Sequence, residues 1–437
     1  MRVKHRGKIL SEPANAPRRA SRRIELLCLG TELLKDKVNT NSNLIAEKIA
    51  KAGLSLSQVT TVGDLSKDIL QALKDALNRS DIVLTCGGLG PTFDDLTREC
   101  VSKTLKKPLV FSQPILNQIE RRFDSVGLPM AEENKRQAYL IAKARPVLNK
   151  VGTAPGQIIE HKGKCLILLP GPPKELTPMM DEAVGPYLKK KYSKSVVSSL
   201  VLHVFGYPES QIDEIIQPVV QKNWDSKSTK TTFGILAHHS IIDVKFTVEG
   251  KRKSQVSEAA SRIKKALYQI LGEKIYGENE DSLERAVGKI LKKRRQTLAA
   301  AESCTGGLIS HKITNVPGSS VYFKEGVVTY SNESKRGLLG VKRETIRKFG
   351  AVSNETAEEM ARGILKRSGS IWGLSVTGIA GPTGGTALKP VGLVFFGLAS
   401  KNGVHSWKKN FFGTRTEIKE RAALTALNLL RIQLKSI

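Results

Sequence analysis

Residues 301–307 read AESCTGG, a stretch that places Ser303, Cys304 and Thr305 before the glycines Gly306 and Gly307. The apolar residues 297–300 ahead of it read as a strand, and residues 308–313 carry apolar side chains at helical spacing. That order predicts a strand-to-helix turn at the carboxyl end of a sheet, where α/β proteins bind ligands. Ser303 and Thr305 are expected to offer hydroxyls to the crevice, and Gly306 and Gly307 to let a substrate come close to the backbone. The following helix is expected to aim unpaired N–H groups at an anion. The same spacing also suits Ser303 or Thr305 as a simple helix cap.

Other loops bring compatible chemistry. Tyr330 ends a strand-like run that Ser331 and Lys335 follow, Thr377 and Gly378 follow another, and Arg415 precedes a long helical pattern. Ser303 has no histidine in its motif, and His311, further into the helix, reads as packing or surface. Amide hydrolysis without histidine requires a serine activated by an amine or a phenolate. Lys335 or Tyr330 could serve if burial or a neighbouring charge lowers its pKa.

A second loop, CGGLGPTFDDLT at residues 86–97, supplies Gly87, Gly88 and Gly90, the hydroxyls of Thr92 and Thr97, and the carboxylates of Asp94 and Asp95. Its glycines free the backbone, while Asp94 and Asp95 could hold a hard cation or cap the next helix. The stretch GTAPG at 152–156 and the rigid turn from Pro170 and Gly171 to Glu175 are expected at the same sheet edge.

The elements that must position these loops alternate. Strand-like runs at 24–29, 54–62, 81–85 and 165–169 are separated by helical patterns at 42–52, 68–77 and 175–192. The last third repeats the scheme, with a helix at 281–293, strands at 326–330, 371–376 and 393–399, and a helix at 416–433. Such alternation predicts two three-layer α/β/α domains with mostly parallel sheets. Residues 197–276, with strands at 201–204 and 241–248 and helices at 209–220 and 254–271, read as a small α+β connector. His238 and His239 are adjacent on a strand, hence on opposite faces, and cannot chelate one ion together. The expected domains are 24–196, 197–276 and 277–437, after a basic, disordered extension at 1–23.

Composition narrows the class. The formal net charge is +29, which suits nucleic acid, phosphorylated metabolites or an acidic membrane surface, although the basic residues are spread along the chain and also suit solvated faces. The 5 scattered cysteines form no C-x-x-C pair, which points to reduced thiols rather than a disulfide frame or zinc site. No apolar run is long enough for a membrane span or a signal peptide, so the expected location is cytoplasmic.

LGTELL at 29–34, VNTNS at 38–42, GGLGPTFDDLT, GTAPG and LPGPPKEL follow one another in an order that resembles the CinA family. Its first domain has the molybdopterin-binding, MoCF-like fold, and its carboxyl-terminal half is the PncC-type nicotinamide mononucleotide (NMN) deamidase domain. The chain departs from the family at Lys35-Asp36 and at Thr414. For the second half the resemblance implies hydrolysis of the NMN carboxamide to nicotinic acid mononucleotide and ammonia, with no cofactor. Ser303 would be the reacting hydroxyl, Tyr330 and Lys335 proton-transfer or orienting groups, Thr377 a neighbour of the oxyanion, and Arg415 the partner of the 5′-phosphate. Thr305, Gly306, Gly307 and Gly378 would complete the substrate site. For the first half it implies hydrolysis of ADP-ribose to AMP and ribose 5-phosphate. Gly87, Gly88, Gly90, Thr92, Pro170 and Gly171 would surround the nucleotide there. Asp94 and Asp95 would hold a divalent metal of the cobalt, magnesium or manganese class, with a monovalent cation as a further candidate. The resemblance also implies a homodimer. A nucleic-acid-binding accessory protein and a molybdopterin-binding protein are the competing readings.

Overall fold

The computed structural model of the chain describes residues 22–193, 195–238 and 240–436. The extension expected over residues 1–23 lies outside the described residues except for its last two, and so does His239. The chain divides into two compact units, one running to Val197 and taking in Glu249–Lys253, the other comprising Ser198–Val248 and the residues from Ser254 onward.

In the first unit, β1 (Ile24–Leu29), β2 (Gln58–Val62), β3 (Ile82–Cys86), a short hairpin of β4 (Leu109–Phe111) and β5 (Tyr139–Ile141), β6 (Arg145–Val147), β7 (Gly156–His161) and β8 (Lys164–Leu169) follow in chain order. The main sheet runs β2-β1-β3-β8-β7-β6. Its pairings are parallel from β2 to β8 and antiparallel at β7 and β6. Both faces are covered because successive side chains of a strand alternate. Ile24, Leu26 and Cys28 of β1 pack into one apolar cluster with Ile45 and Leu188, and Leu27 and Leu29 into another with Leu73 and Val101. The helical pattern at 175–192 resolves into Pro173–Met179, a wider turn at Met180–Val184, and Gly185–Tyr192. Pro178 lies inside the first of these, where a missing N–H interrupts the ladder.

The second unit begins with a sheet of β9 (Val196–Phe205), β10 (Thr229–His238), β11 (Ile241–Gly250) and β12 (Ile275–Glu278), in the order β10-β11-β9-β12. The helices Glu209–Val220 and Lys253–Leu271 accompany it. A five-stranded sheet follows, built from β13 (Leu298–Glu302), β14 (Phe323–Val328), β15 (Trp372–Gly378), β16 (Leu393–Ser400) and β17 (Gly403–Asn410), in the order β14-β13-β15-β16-β17. Pairing is parallel across β14, β13 and β15 and antiparallel beyond. Alternation again separates two cores. Leu298 and Ala300 face the helices Leu283–Arg294 and Arg415–Lys435, and Ala299 and Ala301 face Met360 and Ile364 of the helix Asn354–Ser368. Leu427, Leu430 and Leu434 of the last helix are fully buried, each burial stabilising by roughly 1.5–3 kcal/mol. Arg431 of that helix is also buried and donates to the carbonyls of Glu273 and Ile275, at 3.2 and 3.5 Å.

Among the described residues no helix is long and apolar enough to cross a membrane.

Candidate functional site

The register of the central strands sets the site. Glu302, the last residue of β13, is level with Val328 of β14 and Val376 of β15, so the chain leaves all three strands at one edge. Ser303 follows β13 and is pinned by its own N–H to the Val376 carbonyl at 3.0 Å. Thr377 lies beside it on β15. Thr329 and Tyr330 follow β14, and the helix Asn332–Leu339 starts immediately, capped by the Ser331 side chain on the Ser334 N–H. Its inward face carries Lys335 and, one turn on, Leu339, both buried.

Lys335 is 2% exposed, and its Nζ contacts three neutral oxygens: Ser303 Oγ at 3.0 Å, the Thr329 carbonyl at 2.8 Å and the Tyr330 carbonyl at 3.2 Å. Burial pushes this amine below the ordinary lysine range. Carbonyls only accept, so in the neutral amine the two N–H groups satisfy Thr329 and Tyr330, and the lone pair is left to take the Ser303 hydroxyl proton. A buried hydroxyl and amine in this contact have the geometry that a nucleophile and its base require.

These two residues line a cavity of about 170 Å³ with Cys304, Tyr330, Asn332, Ala351, Val352, Thr377, Gly378, Ala380 and Arg415. Burial pushes the Cys304 thiol up to about 12, which keeps it un-ionised. Tyr330 is 62% exposed at the rim, where its hydroxyl accepts from Arg415 at 3.0 Å while the same guanidinium donates to the Gly381 carbonyl at 2.6 Å. Thr414 caps the last helix in a reciprocal pairing with Glu417 and so fixes the residue just before Arg415. The Thr377 hydroxyl donates to the Ala351 carbonyl at 2.7 Å, so its proton is already committed. Gly378 admits no side chain, since a Cβ there would lie 2.7 Å from the Leu393 carbonyl.

The rest of the AESCTGG turn stands apart from the cavity. Thr305 is fully buried with its hydroxyl unpaired, and Gly306 and Gly307, at φ 63 and 95, lie outside the lining. The N–H groups expected to await an anion are occupied instead by Glu302, a residue sequence reasoning passed over. Its buried carboxylate accepts from the N–H groups of Gly307, Ile309 and Ser310, at 3.0, 3.0 and 2.8 Å. Gly307 stands at the cap position with no side chain, and Glu302 takes over its task. Neither Ser303 nor Thr305 caps this helix.

The first unit has a larger cavity, of about 380 Å³, at the carboxyl ends of β1, β3 and β8. Gly87, Gly88, Gly90, Thr92, Asp94, Asp95, Pro170 and Gly171 all line it, with Glu32, Asp64 and Glu175. Gly87 must be glycine: its φ is 110, and a Cβ would stand 2.2 Å from the Leu29 carbonyl. Arg98, likewise unanticipated, is buried and holds the loop from behind, donating to the carbonyls of Leu89 and Gly90 at 2.8 and 3.0 Å. Thr92 Oγ lies 2.5 Å from both Asp94 Oδ1 and Asp95 Oδ2. One hydroxyl proton serves two carboxylate oxygens there, a donor set that suits a hard cation completed by water or phosphate oxygens. Among the described residues no group of three or more His, Cys, Asp and Glu side chains is arranged to cage a metal on its own. His238 is exposed at the end of β10.

Three family models match successive parts of the chain. Residues 25–190 match the family described as a probable molybdopterin binding domain, 199–277 the damage-inducible protein CinA KH domain, and 280–434 the CinA C-terminal domain. A CinA-like protein of Endomicrobium trichonymphae is 47% identical over 422 residues, 94% of this chain and 98% of that one. The chain belongs to the CinA family. A putative competence-damage inducible protein of Caldanaerobacter subterraneus is 43% identical to this CinA family member, over 93% of this chain and 97% of its own length. The solved competence/damage inducible protein CihA of Agrobacterium tumefaciens covers 35% of the CinA chain and 93% of its own, at 44% identity and a TM-score of 0.34.

Proposed function

We propose that the C-terminal domain hydrolyses the carboxamide of NMN to nicotinic acid mononucleotide and ammonia, with Ser303 as nucleophile and Lys335 as base. The observation that carries this reading is the 3.0 Å contact between Lys335 Nζ and Ser303 Oγ, with both other Lys335 contacts on carbonyls that can only accept. The Ser303 proton passes to Lys335 as Oγ adds to the amide carbon. The amide nitrogen then takes that proton and leaves as ammonia, and water, deprotonated by Lys335, cleaves the resulting ester. A cavity of about 170 Å³ suits a single ring and its carboxamide, so the ribose and 5′-phosphate extend toward the rim, where Arg415 supplies the cation. This chemistry uses no cofactor. Wild-type protein incubated with NMN is expected to release ammonia and the Ser303→Ala variant is not; no release from wild type, or equal release from both, overturns the reading.

A second activity is favoured by the Thr92, Asp94 and Asp95 oxygens in the first cavity. We propose that this half hydrolyses ADP-ribose to AMP and ribose 5-phosphate, and that these oxygens would hold a divalent metal, which when bound would supply positive charge against the pyrophosphate. Gly87, Gly88 and Gly90 keep the loop open to a phosphate, braced by Arg98. Tight binding of molybdopterin without ADP-ribose turnover would favour the molybdopterin reading of this half. Affinity for duplex DNA that falls steeply with salt would favour the nucleic-acid reading of the whole.

A further inference from the structure

The turn that carries Ser303 is held at its start by the Ser303 N–H on the Val376 carbonyl and the Gly306 N–H on the Ser303 carbonyl, at 3.0 and 3.1 Å, but its far side has no side chain of its own to hold it. Gly306 and Gly307 are both in the left-handed region without side chains to pack, and the helix Leu308–Thr314 starts with no cap from Gly307. Glu302 supplies the missing restraint on two sides. Its fully buried side chain spans the turn, Oε2 taking the N–H groups of Gly307 and Ile309 at 3.0 Å each, and Oε1 taking the N–H and hydroxyl of Ser310 at 2.8 and 2.7 Å. Its main-chain carbonyl accepts from the Thr329 N–H at 2.7 Å, and the Thr329 carbonyl in turn receives Lys335 Nζ at 2.8 Å.

We propose that Glu302 is the positioning residue of the amide hydrolysis, its side chain fixing the turn after Ser303 while its main chain fixes the strand end that holds Lys335. The inference rests on the reading of this site as an amidase. Nucleophile and base must be held together to well under an ångström, since a displacement of about 1 Å costs on the order of 100-fold in rate. A glutamine at this position keeps the volume but turns two N–H donors toward backbone N–H donors, so half of the clamp becomes repulsive.

The test compares the full-length Glu302→Gln and Ser310→Ala variants with wild type. Folding is followed by circular dichroism, kcat and KM by ammonia release from NMN, and Ser303 reactivity by the rate of labelling with a fluorophosphonate. For a folded Glu302→Gln variant, kcat is expected to fall about 10–100-fold with KM changed less than twofold, and labelling to slow in parallel. Wild-type kcat, or a loss that only tracks the folded fraction, overturns the proposal. Should Glu302→Gln fail to fold, Ser310→Ala decides, because it removes one donor and leaves the carboxylate paired. It is expected to lower kcat severalfold at constant KM, and unchanged kcat overturns the proposal. If wild type releases no ammonia, the amidase reading fails while labelling still tests the positioning role: a slower Glu302→Gln supports it and equal rates overturn it. A wild type that neither releases ammonia nor becomes labelled overturns both.

Discussion

Lys335 Nζ lies 3.0 Å from Ser303 Oγ at the end of a buried side chain whose other partners are the carbonyls of Thr329 and Tyr330. Nothing in that set of contacts stabilises a positive charge as a carboxylate would, and the amine is therefore available as a base. Lys335→Met fills the same channel without a nitrogen. It is expected to lower kcat for NMN about 10²–10⁴-fold, the usual weight of a general base, and to leave the melting temperature near that of wild type. Full activity in a folded Lys335→Met variant would remove Lys335 from the chemistry.

The same burial sets a pH dependence. The folded-state pKa of Lys335 is lowered, so the neutral, competent amine accumulates as pH rises through a value below the ordinary lysine pKa of about 10.4. The amidase rate is expected to climb with pH over that window. Stability follows with the same sign: between the folded and unfolded pKa values the unfolded chain binds more protons, so unfolding becomes harder as pH rises there. Below the folded pKa the protein carries the full cost of burying an ammonium. Rate profiles and denaturant melts of wild type and Lys335→Met across this range check both statements, and a wild-type rate that falls across the window contradicts the first.

Much of this architecture is legible from residue order, because alternating strand and helix patterns in a chain with short connections leave a parallel sheet as the economical solution. The candidates that line the two cavities were legible for a related reason: Ser303, Lys335, Thr377, Asp94 and Asp95 all follow strand-like runs, and such loops gather at one sheet edge. What stayed hidden depends on backbone geometry absent from a residue list. Glu302 becomes a cap only once Gly306 and Gly307 bend the chain back over it, and Thr305 turns inward at the same bend. Other omissions had a signal. Ser353 before Ala357, Met360, Ala361 and Ile364 is a capped helix at 3.6 spacing, and would have located Ala351 and Val352 in the cavity wall. Asn402-Gly403 between two strand-like runs is a hairpin signal that announces β17, with Lys401 and Asn402 forming the turn and Gly403 already paired with Ser400.

In the first unit, replacing Asp94 or Asp95 by asparagine keeps the shape of the loop and removes one of the two charges around Thr92. Metal-dependent release of AMP from ADP-ribose is expected to drop at least tenfold in either variant and to vanish in excess chelator. Ammonia release from NMN is expected to stay at the wild-type level, because these residues line a different cavity from Ser303. Undiminished AMP release from the doubly substituted protein would show that the two carboxylates hold no catalytic metal.

Arg415 presents a different kind of test, because its guanidinium is partly engaged at rest, donating to the Gly381 carbonyl at 2.6 Å and the Tyr330 hydroxyl at 3.0 Å. A fork of five N–H donors can keep both contacts and still offer a face to phosphate, whereas a lysine ammonium has three donors and no plane. Arg415→Lys is therefore expected to raise KM for NMN about tenfold or more, a loss of roughly 1.5–3 kcal/mol for charge-assisted bonds, with a smaller change in kcat. The dephosphorylated nucleoside supplies the control. It lacks the group that Arg415 is proposed to grip, so wild type and Arg415→Lys should process it at similar, low kcat/KM. A tenfold gap on the nucleoside as well would mean that Arg415 acts by holding Tyr330 and the Gly381 turn in place, not by meeting the phosphate.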